Sequence, residues 1–198
     1  MPILYASRDQ LEQVVYLWWS RLHPDTKLDG DNPKLVRRQD AAELRRAQDI
    51  EDVLQMPAYY HLYALLLQAA LPEEVEQPQA NTYRLAESQL KLLAAIAMLC
   101  PLIREDVPGV SLGVALASGA EGQKALLSEH RFMKLIRARD LEELTQNLRR
   151  VIPVLRKRIP VKALIQELYG WQHNPAAHRQ RWAEDYFTSA HTSSSSAN

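Results

Sequence analysis

An all-α protein of two small helical bundles packed together, with roughly eight or nine helices and a disordered serine-rich C-terminal tail, is the fold this sequence predicts. Three observations carry that prediction. Apolar residues recur every three or four positions through most of the chain, the spacing that gathers them on one side of a helix. Only 6 Gly are present, and 11 Pro fall mostly between the apolar stretches, so the chain reads as helices with punctuated ends. Alternation of the kind a strand needs is hard to find. The 198 residues suffice to bury a core, and 46% hydrophobic with 24% charged residues is the balance of a soluble globular chain.

Taken in order, Ser7 and Gln10 have capping-box spacing, and Leu11, Val14, Val15, Trp18 and Leu22 then make one apolar stripe, the first helix. His23 to Pro33 reads as a loop. Asp40 is suited to cap a short helix carrying Leu44, Arg45 and Arg46. Pro57 fits the first turn of the next helix, which runs through Tyr59, Tyr60, Leu62, Tyr63 and Leu65 to Leu67 and is apolar nearly all round, the mark of a central helix. Glu73 to Asn81 is an acidic surface loop before a long helix from about Tyr83 to Leu99. Pro101 to Pro108 breaks the pattern and sets the boundary between an N-terminal domain, 1–105, and a C-terminal bundle, 106–188.

In that second bundle Ser111 to Ala117 and Ser128 to Ala138 read as helices, and Asp140 with Glu143 opens a third. Leu141, Leu144, Leu148, Val151, Ile152 and Leu155 make this third helix amphipathic, with Pro153 bending its end. Val161 to Tyr169 and Pro175 to Phe187 are the last two. From Thr188 the apolar content is too low to pack, so 189–198 is expected as a disordered tail.

The formal net charge is zero, but its distribution is uneven. From Glu121 to Lys162 there are eleven basic side chains against five acidic ones, so this segment carries +6 and the rest of the chain −6. One surface can therefore attract phosphate while the whole stays neutral. Cys100, the single cysteine, lies in the apolar run Leu92 to Leu102 and reads as a small buried hydrophobe. The N-terminus lacks the pattern of a signal peptide and no apolar stretch is built to span a bilayer, so a cytoplasmic protein with no membrane partner is expected.

Gly109-Val110-Ser111-Leu112-Gly113 matches the G-x-S-x-G nucleophile elbow, yet that motif needs a strand leading in, and Pro108 precedes it. A helix start capped by Ser111 is the better reading, and no catalytic residue is expected. The six histidines fall at no recognised zinc spacing, so neither metal nor cofactor is expected. Trp18, Trp19, Trp171 and Trp182 lie at apolar helical positions and read as core.

The basic segment is the candidate site. Arg131, Lys134 and Arg137 are spaced by three on a helix, spreading over an arc of about 120° opposite Phe132, Leu135 and Ile136. In the next helix Arg149 and Arg156 share a side, with Arg150, Lys157 and Arg158 adjoining. Such a face can follow a phosphate backbone without reading bases. Read from spacing alone, a merely solvated charged surface is the better reading.

Several stretches, in order, resemble the CasB family, the small subunit of the type I-E CRISPR Cascade complex. They are Ala42-Glu43-Leu44-Arg45-Arg46-Ala47 leading to Pro57-Ala58-Tyr59-Tyr60, then Gly109 to Ala117, then Phe132 to Arg139 continued by Leu144 and Leu148-Arg149-Arg150. Leu164 to Trp171 and Arg181 to Phe187 resemble the family's closing helices. The resemblance implies a non-catalytic, all-helical subunit, present as two copies head to tail along the backbone subunits that hold the guide RNA, with the large subunit also a partner. It implies R-loop stabilisation through contacts to the displaced non-target strand and the target strand. Residue by residue it falls on Arg45, Arg46, Lys134, Arg137, Arg139, Arg149 and Arg150; Arg131, Arg156 and Lys157 join them from spacing. The alternative is a helical protein–protein adaptor whose basic faces meet acidic subunits. Leu22 to Lys34, Glu73 to Asn81 and the serine tail depart from the family pattern, as does Asp40-Ala41-Ala42, where many relatives have a glycine.

Overall fold

The structure is a computed structural model that describes residues 2–22, 38–72, 75, 82–117 and 126–195. Most of the expected loops at 22–34 and 73–81, and the cation Lys124, lie outside the described residues. The chain forms two compact units, Met1–Pro101 and Leu102–Asn198.

The first unit holds α1 (Arg8–Leu22), α2 (Arg38–Arg46), α3 (Ile50–Leu54), α4 (Pro57–Ala69) and α5 (Glu87–Leu99), with a two-residue parallel pair, β1 (Ile3–Leu4) and β2 (Arg84–Leu85). The capping box at the head of α1 is complete: Gln10 N–H donates to Ser7 Oγ at 3.1 Å, and Ser7 N–H donates to Gln10 Oε1 at 2.7 Å. Gln10 Nε2 also donates to the Ala69 carbonyl at 2.6 Å, so α1 and α4 pack antiparallel.

Three expectations are corrected in this unit. The long helix begins at Glu87 rather than Tyr83, because Arg84 and Leu85 pair with Ile3 and Leu4. Gln89, 6% exposed, then locks that pairing, donating to the Ala6 carbonyl at 2.6 Å and accepting from Ala6 N–H at 2.9 Å. The central helix is α5, not α4: every side chain from Leu92 to Leu99 is buried, whereas Tyr60 on α4 is 53% exposed. Ala94, Ala95 and Ala97 let neighbours approach α5 on all sides, while tyrosines bring hydroxyls that must reach a partner or water. Asp40 lies inside the first turn of α2, which starts at Arg38, rather than ahead of it, and is buried against His61 Nδ1 at 2.9 Å.

The second unit holds α6 (Leu112–Ala117), α7 (Glu129–Ile136), α8 (Leu141–Val151), α9 (Val161–His173) and α10 (Pro175–Ser195). Helical backbone runs on through Ser195, so the tail expected after Thr188 overlaps the end of α10; residues 196–198 lie outside the described residues. Helix α10 packs on α6, α7 and α9. Phe132 stacks on Tyr186 with ring centroids 3.9 Å apart, and Tyr186 Oη donates to the Leu127 carbonyl at 2.7 Å.

The G-x-S-x-G segment has a structural explanation. Ser111 Oγ accepts from Val114 N–H at 3.2 Å, capping α6, and donates to Asp185 Oδ2 at 2.6 Å. A Cβ at Gly113 would stand 2.6 Å from Asp185 Cβ, so glycine here lets α10 lie against α6. Gly113→Val is expected to cost about 2–3 kcal/mol by overpacking. A fall of the melting midpoint in calorimetry checks it, and an unchanged midpoint refutes it.

All four tryptophans are core, each at most 3% exposed. Cys100 is fully buried, and that burial pushes its thiol pKa far above the ordinary value, so it carries no thiolate at neutral pH. Among the described residues, no helix is long and apolar enough to cross a membrane.

Candidate nucleic-acid interface

Helix α7 separates its faces cleanly. Phe132 and Leu135 are buried, while Arg131, Lys134 and Arg137 are exposed. Arg137 ends the helix and begins a tight corner, Arg137-Ala138-Arg139, whose middle residue is buried and whose two arginines point to solvent. Asp140 then caps α8, its carboxylate accepting Glu143 N–H at 2.8 Å. Leu144, Leu148 and Val151 bury one side of α8; Arg149 is half-buried and Arg150 exposed at its last turn, where cations also favour the helix dipole.

The capping box of α8 departs from its usual form. Glu143 reaches past Asp140 to accept the backbone N–H of Arg139 at 3.0 Å and its Nε at 3.1 Å. The backbone hydrogen bond from Arg139, then its side chain, hold the Glu143 carboxyl below its ordinary pKa. With the folded value depressed, the tie is intact at neutral pH and is lost as pH falls through that lowered value. Arg139 is thus already partnered by a carboxylate. Among the described residues no salt bridge engages Arg131, Arg137 or Arg150.

The shared side expected for Arg149 and Arg156 does not exist, because α8 ends at Val151. Pro153 offers no N–H to continue the helix. The chain instead turns through Arg156 and Lys157 at φ 56° and 64°, left-handed backbone that costs a non-glycine residue about 1–2 kcal/mol. The turn is held from outside: the Lys157 carbonyl accepts Arg104 N–H at 2.9 Å and Glu105 N–H at 3.2 Å. Arg156 is exposed and Lys157 half-buried, and next to them Arg158 Nε meets Glu105 Oε1 at 3.0 Å.

Arg45 and Arg46 belong to the first unit, at the last turn of α2. Both are exposed, and Arg45 Nε donates to the Ala41 carbonyl at 2.9 Å. Buried Asp40 ties this helix to α4 through His61.

Sequence reasoning missed Arg104, brought to the Arg156-Lys157 turn from far along the chain, and the buried cluster around Glu167 and Arg179 described below. Neither leaves a local sequence signal, since the partners are set by how helices pack. Among the described residues no group of His, Cys, Asp and Glu could hold a metal ion, and the partner of Ser111 is Asp185 rather than a histidine.

A two-unit, mostly helical chain with exposed cations on helices that bury their apolar sides defines the class: a helical protein with basic surface segments. The sequence model of the family described as CRISPR-associated protein Cse2 matches residues 40–187, and the chain belongs to that family, the CasB family its motifs resemble. A chain in the crystal structure of E. coli Cascade bound to a PAM-containing double-stranded DNA target shares the fold. The TM-score is 0.58 at 22% identity, covering 96% of this chain and 98% of that one. Comparison with curated proteins gives no match.

Proposed function

We propose that this protein is a non-catalytic small subunit of a type I-E Cascade complex that holds DNA strands of the R-loop by phosphate contact, without sequence specificity. The observation that carries the reading is the exposure of Arg131, Lys134 and Arg137 along α7 and of Arg150 on α8, the helix packed against it, while Phe132, Leu135, Leu144 and Leu148 are buried. Arg139 and Arg149 on the same segment, and Arg156 and Lys157 at the turn beyond α8, add further cations, and Arg45 and Arg46 supply a second basic point on the first unit. Family membership supports the complex, and the relative found in a DNA-bound Cascade supports DNA and other Cascade subunits as neighbours; the guide RNA as a neighbour follows from the family resemblance. A second copy of this chain as a partner follows from the family resemblance. In such a complex base pairing supplies specificity, and a subunit that grips only backbone is sufficient.

Salt tests the reading. Binding of the full-length chain to oligothymidylate should weaken with a slope of about −3 in log K against log salt if four or five phosphates are engaged, a fall of roughly 50- to 100-fold between about 50 and 200 mM. Oligomers of different base composition should behave alike. A flat salt response would leave the adaptor reading, which the outward side chains of Ile3 on β1 and Tyr5 just after it, 48% and 71% exposed, favour.

A further inference from the structure

Behind the cationic corner lies a buried polar cluster that fixes one helix against it. Glu167 on α9 is 8% exposed, and its carboxylate takes three donors from α10. His178 Nδ1 at 2.5 Å and Trp182 Nε1 at 2.6 Å donate to Oε2, and Arg181 Nη2 donates to Oε1 at 2.6 Å. The three donors are three and four residues apart, on one face of α10. The His178 ring occupies the space a Cβ on Gly170 would need, so α10 comes this close only because residue 170 is glycine. Rotation and register of α10 are thereby set.

Arg179 lies next on that helix. Its guanidinium stands over the Trp171 ring, 5.1 Å from the centroid, and Nη2 donates to the Ala138 carbonyl at 2.7 Å. Ala138 is fully buried between exposed Arg137 and Arg139. Two more side chains hold the same stretch of backbone: Asn147 Nδ2 donates to the Lys134 carbonyl at 3.3 Å, and Glu143 accepts Arg139 N–H.

We infer that Arg179 is a positioning residue for the nucleic-acid interface, fixing the Ala138 peptide so that Arg137 and Arg139 leave the corner in a set direction and spacing. This rests on the phosphate-binding reading above. A guanidinium suits the role because one planar group stacks on an indole and donates at its edge. A corner already ordered loses less freedom on binding than a loose one, and a flexible corner engages fewer phosphates at once.

The full-length chain binding oligothymidylate across a salt series tests it. Arg179→Met keeps an apolar cover on Trp171 and removes the donor; affinity should fall about 5-fold and the salt slope become shallower by about 0.7 to 1.4, the equivalent of one or two phosphates. Arg179→Lys restores a donor and should recover part of both. Arg181→Met loosens the same cluster without touching Ala138, and should lower the melting midpoint while leaving the slope unchanged. Arg137→Gln with Arg139→Gln tests the underlying reading: wild-type binding by this double variant overturns phosphate contact at the corner altogether. If the double variant weakens binding while Arg179→Met binds as wild type, or if Arg181→Met flattens the slope as much as Arg179→Met, the positioning role alone is overturned.

Discussion

Cascade assembled with this protein carrying Glu at Lys134, Arg137, Arg149 and Arg150 should release its target DNA as fast as Cascade assembled with none. Each cation that contacts a single-stranded phosphate recaptures about 0.7 of a counterion when lost, so four lost contacts weaken binding on the order of 100-fold near physiological salt, before repulsion by the new carboxylates is added. The R-loop lifetime is the quantity to measure, with co-purification of the other subunits to establish that the variant assembles. An assembled variant with an unchanged lifetime would refute phosphate binding by this face and leave a protein–protein role. The four positions suit the test because the core behind them is separate: Phe132, Leu135, Leu144 and Leu148 are all buried.

Glu167→Ala should be the most damaging change among the polar side chains of the second unit's described residues. Removing the carboxylate strands the indole N–H of Trp182, on a residue 1% exposed, and takes the shared acceptor from His178 Nδ1 and Arg181, which keep only each other at 2.9 Å. Breaking a buried charged network from one side costs about 3–5 kcal/mol. Arg181 is half-exposed and water can reach it, which places the expectation near the lower end, about 3 kcal/mol. Urea denaturation measures it. Glu167→Gln keeps one acceptor oxygen and should lose less; a loss below about 1 kcal/mol for the alanine variant would show that the donors find water without cost.

The two experiments report on different levels of the same unit. Surface cations contribute little to folding, since exposed ion pairs such as Arg139–Glu143 are screened by water. The Glu167 cluster contributes nothing directly to ligand contact, and reaches the surface only through α10 and Arg179.

Much of this was readable along the chain. The capping boxes at Ser7 and Asp140 are local, because a cap and its donor sit three residues apart. The apolar stripes of α1, α7 and α8 are equally local, and they place Trp18, Phe132 and Leu148 inside. The alternation of cations with buried apolar residues on α7 likewise follows from helical geometry alone. What failed depended on partners distant in sequence. Tyr83 to Ala86 has the composition to extend a helix, and only pairing with the N-terminal strand holds it extended. Asp40 has the chemistry of a cap, and only the approach of His61 makes it a buried tie. The tyrosine-rich α4 is more aromatic than α5, and only packing shows that alanines make the better centre.

The sequence by itself determined that the chain is helical, where most helices start, which faces are apolar, and that positive charge gathers between Glu121 and Lys162. These properties repeat with the period of the helix, so they are written within a few residues of one another. Tertiary structure alone decided that Arg156 and Lys157 turn left-handed against Arg104 and Glu105, and that Arg179 reaches the corner between two exposed arginines. Those outcomes depend on which helix faces meet and how closely, and close approach is set by single atoms, such as the absent Cβ of Gly113 and Gly170.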